Sequence, residues 1–299
     1  MSTHVIEKIA SRQGVIGEGL VIRRALPSKE RRMVGAWCFL DHAGPMQYGP
    51  GEGLQVGPHP HIGLQTFTWM IEGQVMHRDS LGYEQVIRPK QVNLMTAGSG
   101  IVHAEDAVDN QPGTLHAAQL WIALPDAERH REPAFEHYPE LPVITQDDFC
   151  VTVLAGECLG QTSPVKLYTP LLGLDLTTTG SAKTRIPLKP EFEHAALVLR
   201  GSATIAGEDI APGTLLYLGT ERDQLSLQCD EECQILLLGG EPFKEEPLVW
   251  WNFVARTQAE IEQATMHWNE GSHFGEVKGS PSPRLKAPSL DGLNLKGGA

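Results

Sequence analysis

The stretch Pro58-His59-Pro60-His61-Ile62-Gly63, taken with Gly98-Ser99-Gly100-Ile101-Val102-His103-Ala104-Glu105, decides the fold. Each holds two candidate metal ligands separated by one residue, and on a β-strand that spacing turns both side chains to one face. Two such strands facing each other across a small barrel bring His59, His61, His103 and Glu105 to a single point. A lone H-x-H is a weak signal, because alternate histidines on a strand are often half-buried residues whose ring nitrogens meet backbone groups. A second pair, H-x-E after a glycine turn and one hairpin away, makes a metal site the stronger reading.

Three imidazoles and one carboxylate suit a first-row transition metal. The set has no thiolate to favour closed structural zinc and too few oxygens for calcium or magnesium. Four protein ligands leave one or two octahedral positions open, which catalysis requires.

Working outward, Gln65-Thr66-Phe67-Thr68-Trp69-Met70-Ile71 and Ala118-Gln119-Leu120-Trp121-Ile122-Ala123-Leu124 read as buried strands, with Trp69 and Met70 in the core. Turn signals recur about every ten residues, the spacing of a sandwich or barrel. Asp41-His42-Ala43-Gly44-Pro45 reads as a turn by composition. On the strand after the ligands, Gln119 and Trp121 share one face and His116 and Ala118 the other; the inward face touches substrate, and alternation alone does not choose between them. His77-Arg78-Asp79 reads as a polar strand end, with orientation of a metal ligand as the functional alternative.

The chain also repeats internally. Ala195–Gly201 and Pro212–Gly219 echo Phe67–Gly73 and Pro89–Gly98. Offsets that lead from Gly73 to His59 and His61 lead from Gly201 to Pro187 and Lys189. Those from Gly98 to His103 and Glu105 lead from Gly219 to Gln224 and Ser226. None of these four is a ligand set, so metal is expected in the first copy alone. The expected division is residues 1–125 as the metal-binding domain, 126–148 as a charged connection, 149–245 as the second copy, and 246–299 as a terminal segment. In that segment Trp250-Trp251-Asn252-Phe253-Val254 docks, and Thr257-x-x-Glu260 is a capping box opening a helix on which Ile261, Ala264 and Trp268 share a face. From Gly275 onward the composition predicts an extended or disordered tail, unless it lies along another surface.

The bulk numbers agree with a β-rich globular chain: 299 residues, 41% hydrophobic and 20% charged, with 31 Gly and 21 Pro. A net charge of −13 argues against a nucleic-acid partner and permits a protein one. The local basic run Arg23, Arg24, Lys29, Arg31, Arg32 reads as a solvated hairpin edge. Five cysteines without a C-x-x-C fit reduced thiols, and the absence of a signal-like or membrane-length apolar run leads us to expect a cytoplasmic protein.

Phe39-Leu-Asp-His-Ala-Gly-Pro45, Pro58–Gly63, Met95–Glu105 and Gln119-Leu-Trp121 together resemble the pirin family of the cupin superfamily. The resemblance implies an all-β bicupin of two antiparallel jelly-roll barrels with a short C-terminal helix, and a single metal, usually iron (Fe2+), in the N-terminal barrel. The family's ligands fall on His59, His61, His103 and Glu105. Pirins commonly keep a Glu, unused for the metal, where Gln65 stands here. Some pirins are similar in activity to quercetin 2,3-dioxygenase, which implies a small aromatic substrate and dioxygen. Glu105 is then the base that deprotonates the flavonol, the flavonolate coordinates the metal, and the ring opens with loss of carbon monoxide. Asp41, Gln119 and Trp121 are the substrate-pocket candidates. Other pirins are described as regulators, which implies the alternative of an iron-dependent, redox-sensing protein that binds a protein partner.

Overall fold

The computed structural model describes residues 5–17 and 19–297. They form two compact units. One contains Gln13–Ile22, Asp41–Pro139 and the segment from Lys244 onward, and the other contains the segment through Arg12, Arg23–Leu40 and Glu140–Phe243. Each unit takes strands from distant parts of the chain, where the sequence suggests single cuts.

The first unit is a barrel of two sheets. Its seven-stranded sheet, in which Arg12, Arg23–Leu26 and Trp37–Leu40 belong to segments grouped with the other unit, runs in the order Ala134–Tyr138, Val92–Thr96, Leu64–Glu72, Gly113–Ala123, Trp37–Tyr48, Leu20–Leu26, Arg12–Ile16. Its four-stranded sheet runs Gln55–His61, Ile101–Ala107, Val75–Asp79, Glu84–Ile87. Ala43, Val56, Met70, Val75, Leu115 and Ala117 form its apolar interior. The second unit repeats this plan. Its larger sheet is Glu7–Ala10, Thr214–Gly219, Glu193–Arg200, Cys233–Gly240, Leu171–Thr178, Phe149–Ala155, Val143–Gln146, and its smaller one is Ala182–Pro187, Gln224–Cys229, Ala203–Ile205, Glu208–Ile210. Apart from the first edge strand, which follows the others in the chain in one sheet (Ala134–Tyr138) and precedes them in the other (Glu7–Ala10), the order is the same strand for strand, which makes the chain a bicupin.

The matched strands correct the register of the repeat. Pro187, Lys189, Gln224 and Ser226 are exposed, while Ala182, Thr184, Ile186, Leu225, Leu227 and Cys229 are buried. Counting from the glycines therefore lands one residue out, on the outward face of each strand. The inward positions are apolar apart from Thr184 and Cys229, so the second barrel offers no counterpart to the histidines. Its interior is an aliphatic cluster that includes Leu174, Val198, Leu216 and Ile235.

Several local expectations also change. Asp41–Pro45 is no turn, because the strand runs on through Tyr48. Gly44 takes φ 81°, and a Cβ there would lie 2.0 Å from the Leu115 carbonyl oxygen, so glycine marks close strand approach rather than reversal. The charged segment 126–148 supplies an edge strand to each large sheet, pairing Phe135 with Met95 and Thr145 with Cys150. The basic run is not simply solvated: the Arg24 guanidinium lies 4.4 Å over Phe39, and Arg31 lies 3.7 Å over Tyr217 while pairing with Glu7 at 3.3 Å. Cys229 and Cys233 form a disulfide, against the expectation of reduced thiols. A three-residue turn between the two strands brings their Cα atoms to 6.4 Å. Cys38, Cys150 and Cys158 keep their thiols.

The helix forms at Gln258–Glu270 with the expected capping box at Thr257 and Glu260, and Gly271 closes it in the left-handed region at φ 71°. Ile261, Ala264 and Trp268 are buried against Val102, Phe253, Ala255 and Phe274. No described helix is long and apolar enough to cross a membrane. Burial on its own would raise the Glu260 carboxyl; the Arg129 guanidinium and the N–H groups of Arg256 and Thr257 outweigh it and hold the group at about 2. The stability from this cap is thus complete above the ordinary carboxylate range and is lost as pH falls towards 2. Thr257→Ala is expected to cost about 1 kcal/mol, measured as a lowered denaturation midpoint. An unchanged midpoint would show that packing alone holds the helix start.

The tail is ordered along the first unit instead of disordered. Arg284 stacks 3.4 Å over the Trp268 ring, whose Nε1 donates to the Leu285 carbonyl at 3.0 Å. The Leu285 N–H donates to the Pro58 carbonyl at 2.9 Å. Ser280 and Ser282 donate their hydroxyls to the buried Asp106 carboxylate at 3.0 and 2.6 Å.

Candidate metal centre

Strand Gln55–His61 pairs antiparallel with Ile101–Ala107, with His59 opposite His103 and His61 opposite Ile101. Alternation sends His59, His61 and His103 to the interior, where their ring centroids lie 4.4–5.0 Å apart. One nitrogen from each lies within 4.8 Å of the others. The turn beyond His61 is fixed by Gly63, whose φ of 68° and approach to the Val254 carbonyl admit no side chain: a Cβ would lie 2.0 Å from that oxygen.

The hydrogen bonds orient two of these rings. His59 Nδ1 meets the Gly57 carbonyl at 2.8 Å, and His61 Nδ1 meets the Asn252 carbonyl at 2.9 Å. A carbonyl only accepts, so each Nδ1 carries the proton and each Nε2 keeps its lone pair. Burial lowers His59 to about 4, opposed in part by the Gly57 carbonyl and helped by His77. Burial, then His59, takes His61 well below its ordinary value; burial, then His59, His61 and His77, does the same to His103. All three are neutral near pH 7, the form that ligates metal. His61 Nε2 and His103 Nε2 are 3.1 Å apart. Donors this close, buried and uncharged, fit a transition-metal cation.

Glu105 is placed differently. The register slips between His103 and Glu105, so that Glu105 faces Val56 and not Gly57. The extra residue lies in Gly57-Pro58 on the H-x-H strand, a β-bulge that re-aims the side chains beside it. Glu105 lies outside the group of donors within 4.8 Å. Its residue is half-buried, and burial, then Asp106, pushes its carboxyl up to about 7.

Strand Gly113–Ala123 turns Leu115 and Ala117 into the interior, and Gln119 and Trp121 continue the same face. The Trp121 ring stands 5.2 Å from His61, edge-on at 77°. Gln119 Oε1 accepts from Thr68 Oγ1 at 2.8 Å. His116 lies on the opposite face, 2.8 Å from His42, Nε2 to Nε2. Asp41 is buried and shares a strand face with interior Ala43. Gln65 Nε2 donates to Thr96 Oγ1 at 2.9 Å, on the strand face away from Thr68 and Met70. It therefore takes no part in the cluster.

The Gly57 and Asn252 carbonyls were not foreseeable, since no side-chain pattern encodes them. His77 and Asp79 are visible in the sequence, as a polar strand end with orientation of a metal ligand as the alternative. Both are buried, and His77 Nε2 meets Asp79 Oδ2 at 2.9 Å.

Two jelly-roll barrels, one lined by a cluster of neutral histidines, define a metal-binding bicupin. The Pirin family model matches residues 19–122 and the Pirin C-terminal cupin domain model matches residues 173–275. The chain belongs to the pirin family. A Pseudomonas aeruginosa protein provisionally named a quercetin 2,3-dioxygenase is 50% identical, over 96% of this chain and 91% of its own. The crystal structure of a quercetin 2,3-dioxygenase from Acinetobacter baumannii superposes with a TM-score of 0.94 at 52% identity, covering 97% of each chain. A bacterial pirin from Escherichia coli, solved in complex with nickel(II), shares the fold at 20% identity and a TM-score of 0.64, over 80% of this chain and all of its own.

Proposed function

We propose that the protein is a metal-dependent dioxygenase that opens the ring of a flavonol such as quercetin and releases carbon monoxide. The observation that carries this reading is the convergence of His59, His61 and His103 as neutral donors inside the first barrel. The A. baumannii and P. aeruginosa relatives, by their names, support the substrate class.

His59, His61 and His103 hold the metal, taken as Fe2+, with Glu105 as fourth ligand. When bound, the iron supplies open coordination positions and the redox chemistry that dioxygen requires. Glu105 takes the flavonol hydroxyl proton on its carboxylate. Trp121, edge-on to His61, gives a planar aromatic substrate a wall beside the cluster. Gln119, whose Oε1 is engaged by Thr68, offers its amide N–H groups to a flavonol oxygen. Asp41 contributes to the same inward surface. The reaction takes place in the cytoplasm.

Anaerobic mixing of the iron-loaded protein with quercetin is expected to perturb the flavonol absorption, and admitting oxygen is expected to release carbon monoxide. No turnover over a panel of flavonols, with iron occupancy verified, overturns the reading.

A further inference from the structure

His59 and His61 are oriented by backbone carbonyls, but His103 is not. Its Nδ1 lies 3.5 Å from His77 Nδ1, and His77 Nε2 lies 2.9 Å from Asp79 Oδ2. The other Asp79 oxygen, Oδ1, accepts the N–H groups of Leu81 and Tyr83 at 2.9 and 3.1 Å. Oδ1 is thus a double acceptor, and Oδ2 faces an imidazole nitrogen at the distance of a carboxylate accepting from a ring N–H. His77 is stacked at 4.2 Å and 12° on Phe135, which fixes its ring plane. His77, Asp79 and His103 are all at most 3% exposed, so water does not compete for these bonds.

We infer that Asp79 and His77 are positioning residues that set the tautomer of His103, and through it decide whether this ring presents a lone pair to the metal. The inference rests on the metal-site reading above. Asp79 accepts, so His77 carries its proton on Nε2. His77 Nδ1 is then an acceptor, so His103 carries its proton on Nδ1. His103 Nε2 is left with a lone pair, facing the His61 Nε2 lone pair across 3.1 Å. Two lone pairs at that distance repel unless a cation lies between them. A carboxylate two imidazoles away thereby holds open a position that a metal fills, an extended form of the arrangement that orients most metal-bound histidines.

The wire can be reversed with one atom. In Asp79→Asn the amide oxygen stays with the Leu81 and Tyr83 N–H groups, and the amide N–H turns to His77 Nε2. His77 must then accept there and donate from Nδ1, which forces the His103 proton onto Nε2, where it bonds His61 Nε2 and blocks the metal. His77→Phe keeps the ring on Phe135 but removes the acceptor; His77→Gln restores one.

The test is long-range nitrogen–proton NMR of the imidazoles in the metal-free full chain. It is answered whether or not the site takes metal, so its failure is separable from failure of the dioxygenase reading. The expected result is His103 protonated on Nδ1 in the wild type and on Nε2 in Asp79→Asn. A wild-type His103 protonated on Nε2, or a tautomer unmoved by Asp79→Asn, overturns the inference. Chelator competition with Fe2+ adds a second arm. Affinity is expected to fall about 10–100-fold in Asp79→Asn and His77→Phe, with His77→Gln close to wild type. Equal affinities throughout, at unchanged thermal midpoints, overturn it too.

Discussion

Replacing His59 or His103 with Ala is expected to take the bound metal from one ion per chain to none. Each ring contributes one of three converging nitrogens, and removing one leaves two donors and a cavity. The loss should exceed the roughly 10–100-fold that changes behind the ligands cause. The fold is expected to survive, because the barrel interior is built on separate apolar residues such as Met70, Leu115 and Ala117. The measurement is elemental analysis of the purified variants beside a chelator titration, with the denaturation midpoint as the control. Unchanged stoichiometry in either variant would falsify the metal site. Glu105→Gln separates the two roles given to that residue: metal retained with turnover lost marks the base, and both lost together mark an essential ligand.

How much of this site was legible depended on how local each constraint is. Strand alternation is local, so H-x-H and H-x-E sufficed to bring His59, His61 and His103 together. The position of Glu105 depends on a bulge at Gly57-Pro58, and that is a property of pairing between strands far apart in sequence. For His77 the sequence offers orientation of a metal ligand only as the weaker alternative to a polar strand end, because its partners His103 and Asp79 are set by the neighbouring strand and a turn. Gly44 looked like a turn because composition cannot separate glycine that reverses the chain from glycine that lets Leu115 approach. The tail's polar composition allowed a course along another surface but did not say which surface. Its order comes from Trp268, Asp106 and the Pro58 carbonyl, which are acceptors and surfaces supplied elsewhere.

The second barrel shows what a buried imidazole does where no site is built for it. His194 is fully buried in the strand Glu193–Arg200, beside Gly239, where a Cβ would lie 2.8 Å from its ring. Neither ring nitrogen makes a well-formed hydrogen bond, the Phe192 backbone offering only a poorly aligned one. Burial lowers it to about 4, Arg222 adds to the shift, and Glu191 and the Phe192 backbone oppose it. The unfolded chain binds this proton near pH 6.5 and the folded one does so only near 4. Stability from the neutral ring is therefore complete above 6.5 and is lost as pH falls towards 4. His194→Leu removes both unsatisfied nitrogens and places an aliphatic side chain in a barrel already lined with them. We expect it to stabilise the protein by about 1–3 kcal/mol near pH 7. The advantage over wild type should grow by roughly 3 kcal/mol as pH falls to about 4, since other titrating groups cancel in the comparison. Denaturant midpoints across that range measure both. A variant less stable than wild type near pH 7 would mean that the ring holds a buried water or ligand, and the second barrel would then have a site of its own.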